Sequence, residues 1–185
     1  MEECFDSDKS VQIASCFIEM NGGSIDRYAL IKMMYDVDRE ARKRWGHSMT
    51  GDKPYSLRYG PILSRIANLT KGSGASEDAF WHEYILPAGD DNVVSMKRPL
   101  ETKDRLSKSD ISIIRRVFEK LGQMNFSQLR KWSHSLPEYE NVDPWEAKPI
   151  HVENLLRHLG KTDAEIADIG VQNKEAALLK VLAEA

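Results

Sequence analysis

The stretch that most limits the folds open to this chain is "IDRYALIKMMYDVDREARKRW", residues 25–45, closed by Gly46. Its apolar residues recur at helical spacing, and Ser24 just before it is a capping residue type. A helix of this length has to lie along a core. With side chains about 100° apart around the axis and Leu30 at zero, Ala41 falls near 20°, Met34 near 40° and Trp45 near 60°. Val37 falls near about −20° and Ile31 near about 100°. Asp38 lands at about 80°, between Trp45 and Ile31, so its carboxylate is expected to be at least partly buried. Tyr35 and Arg42 sit at the edge of this face, and Arg39, at about 180°, points well away.

A buried carboxylate without partners costs several kcal/mol. The following loop, "HSMTGDK", offers hydroxyls and free amides, and Tyr55 and Tyr59 come next. Arg42, one turn on, is placed for an ion pair. Asp38 is therefore expected to tie the loop and the next strand back onto the helix. The competing reading pairs Asp38 with Asp52 as catalytic carboxylates. No nucleophile, metal triad or phosphate loop accompanies them, so no catalytic residue is assigned.

The rest of the chain punctuates clearly. Asp8 or Ser10 can cap a first helix through "VQIASCFIEM", which Gly22-Gly23 ends. "PYSLRY" alternates as a half-buried strand carrying Tyr55, Leu57 and Tyr59, and Pro61 suits the first turn of a helix "PILSRIANLT". "KGSGASED" reads as a connector. Two apolar runs around "GDDN" read as a β-hairpin. Ser107 with Asp110 forms a capping box, Ser127 caps "QLRKWSHS", and Pro149 opens "IHVENLLRHL". Thr162 with Glu165 is a second capping box, and "KEAALLKVLAEA" is a last helix, apolar at Ala176, Leu179, Val181 and Leu182. The fold class that results is mainly α (α+β): six to eight helices with a small antiparallel hairpin and short strands, open to a winged-helix-like arrangement.

Apolar residues make up 41% of the 185, which supplies a core, and the net charge of −3 argues against wholesale nucleic-acid binding. No apolar run is long enough for a membrane span, and the start "MEECFDSDKS" does not read as a signal peptide. Cys4 and Cys16 lack a CxxC pattern and are expected as reduced thiols of a cytoplasmic protein.

One block resembles a known family. From Leu30 to Leu69 the chain carries Lys32, Tyr35, Asp38, Arg39 and Glu40, then Gly46. Thr50, Gly51 and Asp52 come after it, then Tyr55, and Tyr59, Gly60 and Pro61. In this order they resemble the signature of the SocA-like antitoxin family, the Panacea domain, with flanks that fit to about residue 135. Val37 stands where that family often has alanine, and Trp45 where tyrosine is usual. The resemblance implies a cytoplasmic, non-enzymatic antitoxin of a bacterium or phage, without cofactor, that neutralises a partner toxin by direct contact or hands it to a cytosolic protease. It implies that Tyr35, Asp38, Arg39, Thr50, Gly51, Asp52, Gly60 and Pro61 are architectural. Residues 1–141 would form the family domain, and 142–185 a helical extension packed on it.

Other constellations are weaker. His151 and His158 share a helix face without a third metal ligand, and "WHEYIL" lacks the second histidine of HExxH. Ser133, His134 and Ser135 are neighbours in sequence, which a triad is not. Arg115, Arg116, Lys120, Arg130 and Lys131 could face DNA, and some antitoxins bind their own operator. Solvated charge offset by Glu119 and Asp110 is the simpler account. Among the aromatics, Trp81 and Trp132 read as core. Tyr139 and Trp145, in an irregular proline-flanked segment, read with Tyr55 and Arg58 as partner-binding candidates.

Overall fold

The structure is a computed structural model that describes residues 3–73 and 79–183, the side chains of 177 and 180–183 excepted. Among these residues the chain forms α1 (Ser7–Met20), β1 (Ser24–Asp26), α2 (Arg27–Trp45), β2 (Pro54–Leu57), β3 (Gly60–Leu63) and α3 (Ser64–Leu69). Next come α4 (Ala79–Tyr84), β4 (Ile85–Leu86), β5 (Val93–Met96), α5 (Lys108–Leu121) and α6 (Phe126–His134). The chain closes with β6 (Lys148–Pro149), α7 (Val152–His158) and α8 (Asp163–Ala183). The result is mainly α with some β: eight described helices and two small antiparallel sheets, ordered β1-β5-β4 and β3-β2-β6.

Helix α2 is the axis of the molecule. Its nine residues from Leu30 to Asp38 are all buried, because α1, α5 and α6 pack around it while β1 and β3 cross its flanks. The expected apolar stripe is real, but the neighbours wrap further than a stripe requires. Four charged side chains of α2 are buried with it: Lys32, Asp36, Asp38 and Arg42. Arg39, expected to point into water, instead pairs with the buried Glu138 at 2.7 Å.

Several boundaries differ from the sequence reading, each for a physical reason. Asp6, not Asp8 or Ser10, caps α1 by accepting from the Lys9 N–H at 2.9 Å. Ser24 is drawn into β1, where it pairs with Ser95, and Asp26 takes over as the cap of α2. Pro61 lies in β3 opposite Ser56, and α3 starts only at Ser64. β3 is an edge strand, where a missing N–H leaves no ladder bond unmade. In β2 the parity is the reverse of that expected: Pro54 and Ser56 are buried, while Tyr55 and Leu57 are half-buried against a small second cluster with Ile31 and Ile62. Tyr59 falls in the β2–β3 turn.

The hairpin around "GDDN" is present as β4 and β5, although "AFWHEY" before it is helical. Asn125 rather than Ser127 caps α6, forming a box with Gln128. Pro149 pairs with Tyr55 in β6, and His151 is the cap residue of α7. The last helix begins at Asp163, well before the expected segment, behind the Thr162–Glu165 box. Residues 74–78 of the connector and the Val181 and Leu182 side chains lie outside the described residues. Cys16 is buried and Cys4 exposed, both as free thiols. No described helix is long and apolar enough to cross a membrane.

Candidate functional site

The loop after α2 is built around one carboxylate. Asp38 is 2% exposed. Its Oδ1 accepts from the Met49 and Thr50 backbone N–H groups, both at 3.0 Å. Its Oδ2 accepts from the Thr50 hydroxyl at 2.8 Å and from the Ser48 hydroxyl. Burial pushes the Asp38 pKa up, and the Arg42 charge and the Ser48 and Thr50 hydroxyls oppose the rise. The i+4 guanidinium does not bridge to Asp38. It pairs with Glu3 at 2.6 Å, and Glu3 also accepts from the Ser48 N–H at 2.8 Å. The two expected tyrosines are not among the Asp38 donors.

Asp52 performs a second backbone task. It accepts from the N–H groups of Lys53 at 2.6 Å, Arg65 at 3.1 Å and Ile66 at 2.9 Å. The residue before α3, Leu63, has no capping side chain, so Asp52 caps that helix from a distant position in the chain. Thr50 links the two carboxylates, donating its hydroxyl to Asp38 and accepting from the Asp52 N–H at 3.1 Å. Each of the two carboxylates serves its own set of donors. Gly51 has φ +68, and a Cβ there would lie 1.9 Å from the Cys4 carbonyl oxygen. The N-terminal segment crosses the loop at this point, with the Asp6 N–H donating to the Thr50 carbonyl at 2.8 Å.

A similar close approach occurs at the β2–β3 turn. Gly60 has φ +97, and a Cβ there would meet the Ser133 hydroxyl at 2.2 Å. Beneath it the Lys32 ammonium donates to the Pro61 carbonyl at 2.8 Å and lies 5.0 Å from the Tyr28 ring centre. Desolvation lowers its pKa to about 7, and among the described residues no carboxylate pairs with it. The Tyr35 hydroxyl donates to Glu138 at 3.0 Å, beside Arg39. The signature residues thus meet three backbone segments: the loop 48–52, the turn 58–61 and the segment 136–139.

The partner-binding candidates are scattered by comparison. Tyr55 is half-buried, and Arg58 is exposed with its guanidinium 5.4 Å from the Tyr59 ring centre. The Tyr139 hydroxyl donates to the Arg58 carbonyl at 3.4 Å, and its ring stacks on His134 at 4.5 Å. Trp145 is 97% exposed. Trp81 is fully buried and Trp132 half-buried. On α5, Lys120 pairs with buried Asp36 at 2.9 Å, and Asp110 pairs with Lys9 at 3.2 Å instead of neutralising its own helix. His151 and His158 are exposed, and among the described residues no three His, Cys, Asp or Glu side chains gather as a metal site.

Sequence reasoning missed Glu3, Asp36 and Glu138, whose partners lie far along the chain and leave no local pattern. Lys32 stood in the signature, but nothing in its spacing announced an ammonium shielded from water.

No curated protein and no solved structure matches the chain. The family model described as Antitoxin SocA-like, Panacea domain matches residues 30–139, the segment that holds the Asp38 and Asp52 networks, the Lys32 site and Glu138. With more than half of its length matched, the chain belongs to the SocA-like antitoxin family, as a Panacea-domain protein.

Proposed function

We propose that this protein is an antitoxin that silences a partner toxin by binding it directly, with no chemistry of its own. The observation that carries this reading is the closure of the Asp38 site. Both carboxylate oxygens are occupied by donors of the chain itself, in a place shielded from solvent. A general base needs a proton to take from a substrate, and a carboxylate saturated by its own loop is poorly placed to do so. That closure fixes the 48–50 loop on α2, while Lys32 holds the β2–β3 turn through the Pro61 carbonyl, and a frame ordered in advance lowers the cost of binding a partner. The contacts are assigned to exposed and half-buried side chains on that frame, Tyr55, Arg58, Tyr139 and Trp145. The family domain ends near residue 141, and residues 142–185 form an extension on it.

Co-expression with the product of the adjacent reading frame tests this. Growth rescue and co-purification are expected, and purified protein alone is expected to suppress the toxin's activity. Suppression that appears only when a cytosolic AAA+ protease is present would replace occlusion by delivery. Salt-sensitive, sequence-specific binding to its own promoter would point to a DNA-binding regulator.

A further inference from the structure

A cleft of about 400 Å³ opens between α2, the β2–β3 hairpin and α3. That is the size of a pocket for one or two side chains or a small ligand. Its walls are apolar and aromatic, from Tyr28, Ile31, Tyr55 and Ile62. Its charge is one-sided. Arg27, Lys32 and Lys71 line it, and among the described residues no carboxylate does, in a chain whose net charge is negative. Arg27 is fastened by bonds to Thr70 and to the Ala67 carbonyl, so its charge is fixed in the wall. Lys32 lies beneath the lining, fully buried, with its ammonium on the Pro61 carbonyl.

The rim has the composition of an anchor point. Tyr59 is 44% exposed and Phe126 is 52% exposed. Their rings lie 5.9 Å apart, and Phe126 is 4.6 Å from Tyr28. Two guanidinium groups, of Arg58 and Arg130, sit 5.4 and 5.5 Å from the Tyr59 ring centre. Tyrosine and arginine beside a pocket are the residue types on which protein interfaces concentrate their energy. A phosphate backbone would want an extended basic stripe, whereas this is a compact pit with greasy walls.

We infer that the cleft receives an acidic side chain of the partner protein, carried next to an apolar or aromatic residue that packs on Tyr59 and Phe126. The carboxylate enters toward the Arg27 guanidinium in the wall, and Arg58 and Lys71 meet further acidic groups of the partner. This rests on the antitoxin reading and adds to it the face used and the chemistry of the element bound.

The test uses the full chain and two exposed charge reversals, Arg58→Glu and Lys71→Glu, against a control of equal charge change, Arg115→Glu with Arg116→Glu on α5. Unchanged thermal melts establish that the variants fold. Affinity for the adjacent-frame toxin is expected to fall at least tenfold for the cleft pair and to stay within twofold for the control. Equal affinities overturn the inference while leaving the antitoxin reading standing. A second arm needs no toxin: amide NMR spectra titrated with 4-phenylbutyrate or its neutral analogue 4-phenylbutanol. Shifts at Gly60, Ser64 and Asn68 with the acid, weakened by the cleft pair and small with the alcohol, support the inference even if no toxin is neutralised. Absent shifts, equal shifts with both probes, or duplex DNA binding that the cleft pair abolishes overturn it.

Discussion

Two buried ionisable side chains on α2 are handled in opposite ways. Asp38 has four donors and sits inside a hydrogen-bond network that opposes the upward push of burial on its pKa. Truncation in Asp38→Ala strands the Met49 N–H without its acceptor and leaves the Thr50 N–H only the Ser48 hydroxyl oxygen at 3.0 Å. The expected loss is about 2–4 kcal/mol, and a fall in melting temperature of roughly 5–10 °C by calorimetry would record it. Among the described residues Lys32 has one acceptor and no counter-charge, and its pKa is lowered from 10.5 to about 7. Between those values the unfolded chain holds a proton that the folded chain has released. Stability therefore rises with pH across that window, by up to about 1.4 kcal/mol per pH unit at mid-range. Lys32→Met removes this contribution. Urea titrations at pH 6, 8 and 10 should show the variant more stable than wild type at pH 6, with the gap shrinking as pH rises. A constant gap would mean that the ammonium is not desolvated.

At the level of elements, local signals transmitted well and remote ones did not. The Ser107–Asp110 and Thr162–Glu165 boxes were legible because donor and acceptor stand three residues apart. The central helix and the burial of Asp38 were legible from periodicity alone. β1 and β6 were not, since each owes its existence to a strand far along the chain. That pairing displaced the cap expected at Ser24 and the helix start expected at Pro149. It also reversed the face of β2, because the hairpin turned its Ser56 side inward, where Ser56 accepts from the Glu140 N–H. Helix α3 shows the same dependence in its energetics. It has six residues, too few to hold itself, and its cap is Asp52 from before β2. Asp52→Ala is expected to cost about 1–2 kcal/mol. Hydrogen exchange should place the loss locally, with faster exchange at Arg65 and Ile66 than at the amides of α5. A uniform acceleration would show that α3 does not open as a separate unit.

For the molecule as a whole, the deciding relation is between the family domain and the C-terminal helices. Ile150 and Leu155 belong to the main core, so the chain past residue 141 is not a loose tail. The first part of α8 docks as well. Ile166 and Ile169 cluster with Leu156, and the Ile169 side chain lies so close to Gly46 that a Cβ there would meet it at 2.5 Å. Beyond that point α8 changes character: Val171, Leu178 and Leu179 are all more than half exposed. Two truncations separate these parts. Ending the chain after Lys174 removes a segment whose described side chains are all exposed and is expected to shift the melt by less than about 1 kcal/mol. Ending it after Gly160 uncovers Leu156 and Gly46 and removes two buried isoleucines, at about 1.5–3 kcal/mol each as an upper range. If 142–185 is an extension on a self-sufficient domain, the shorter chain still folds cooperatively at a lower melting temperature. If the end of α2 depends on Ile169, the shorter chain loses cooperativity, the Asp38 loop exchanges freely, and the frame proposed to face the toxin is lost with it.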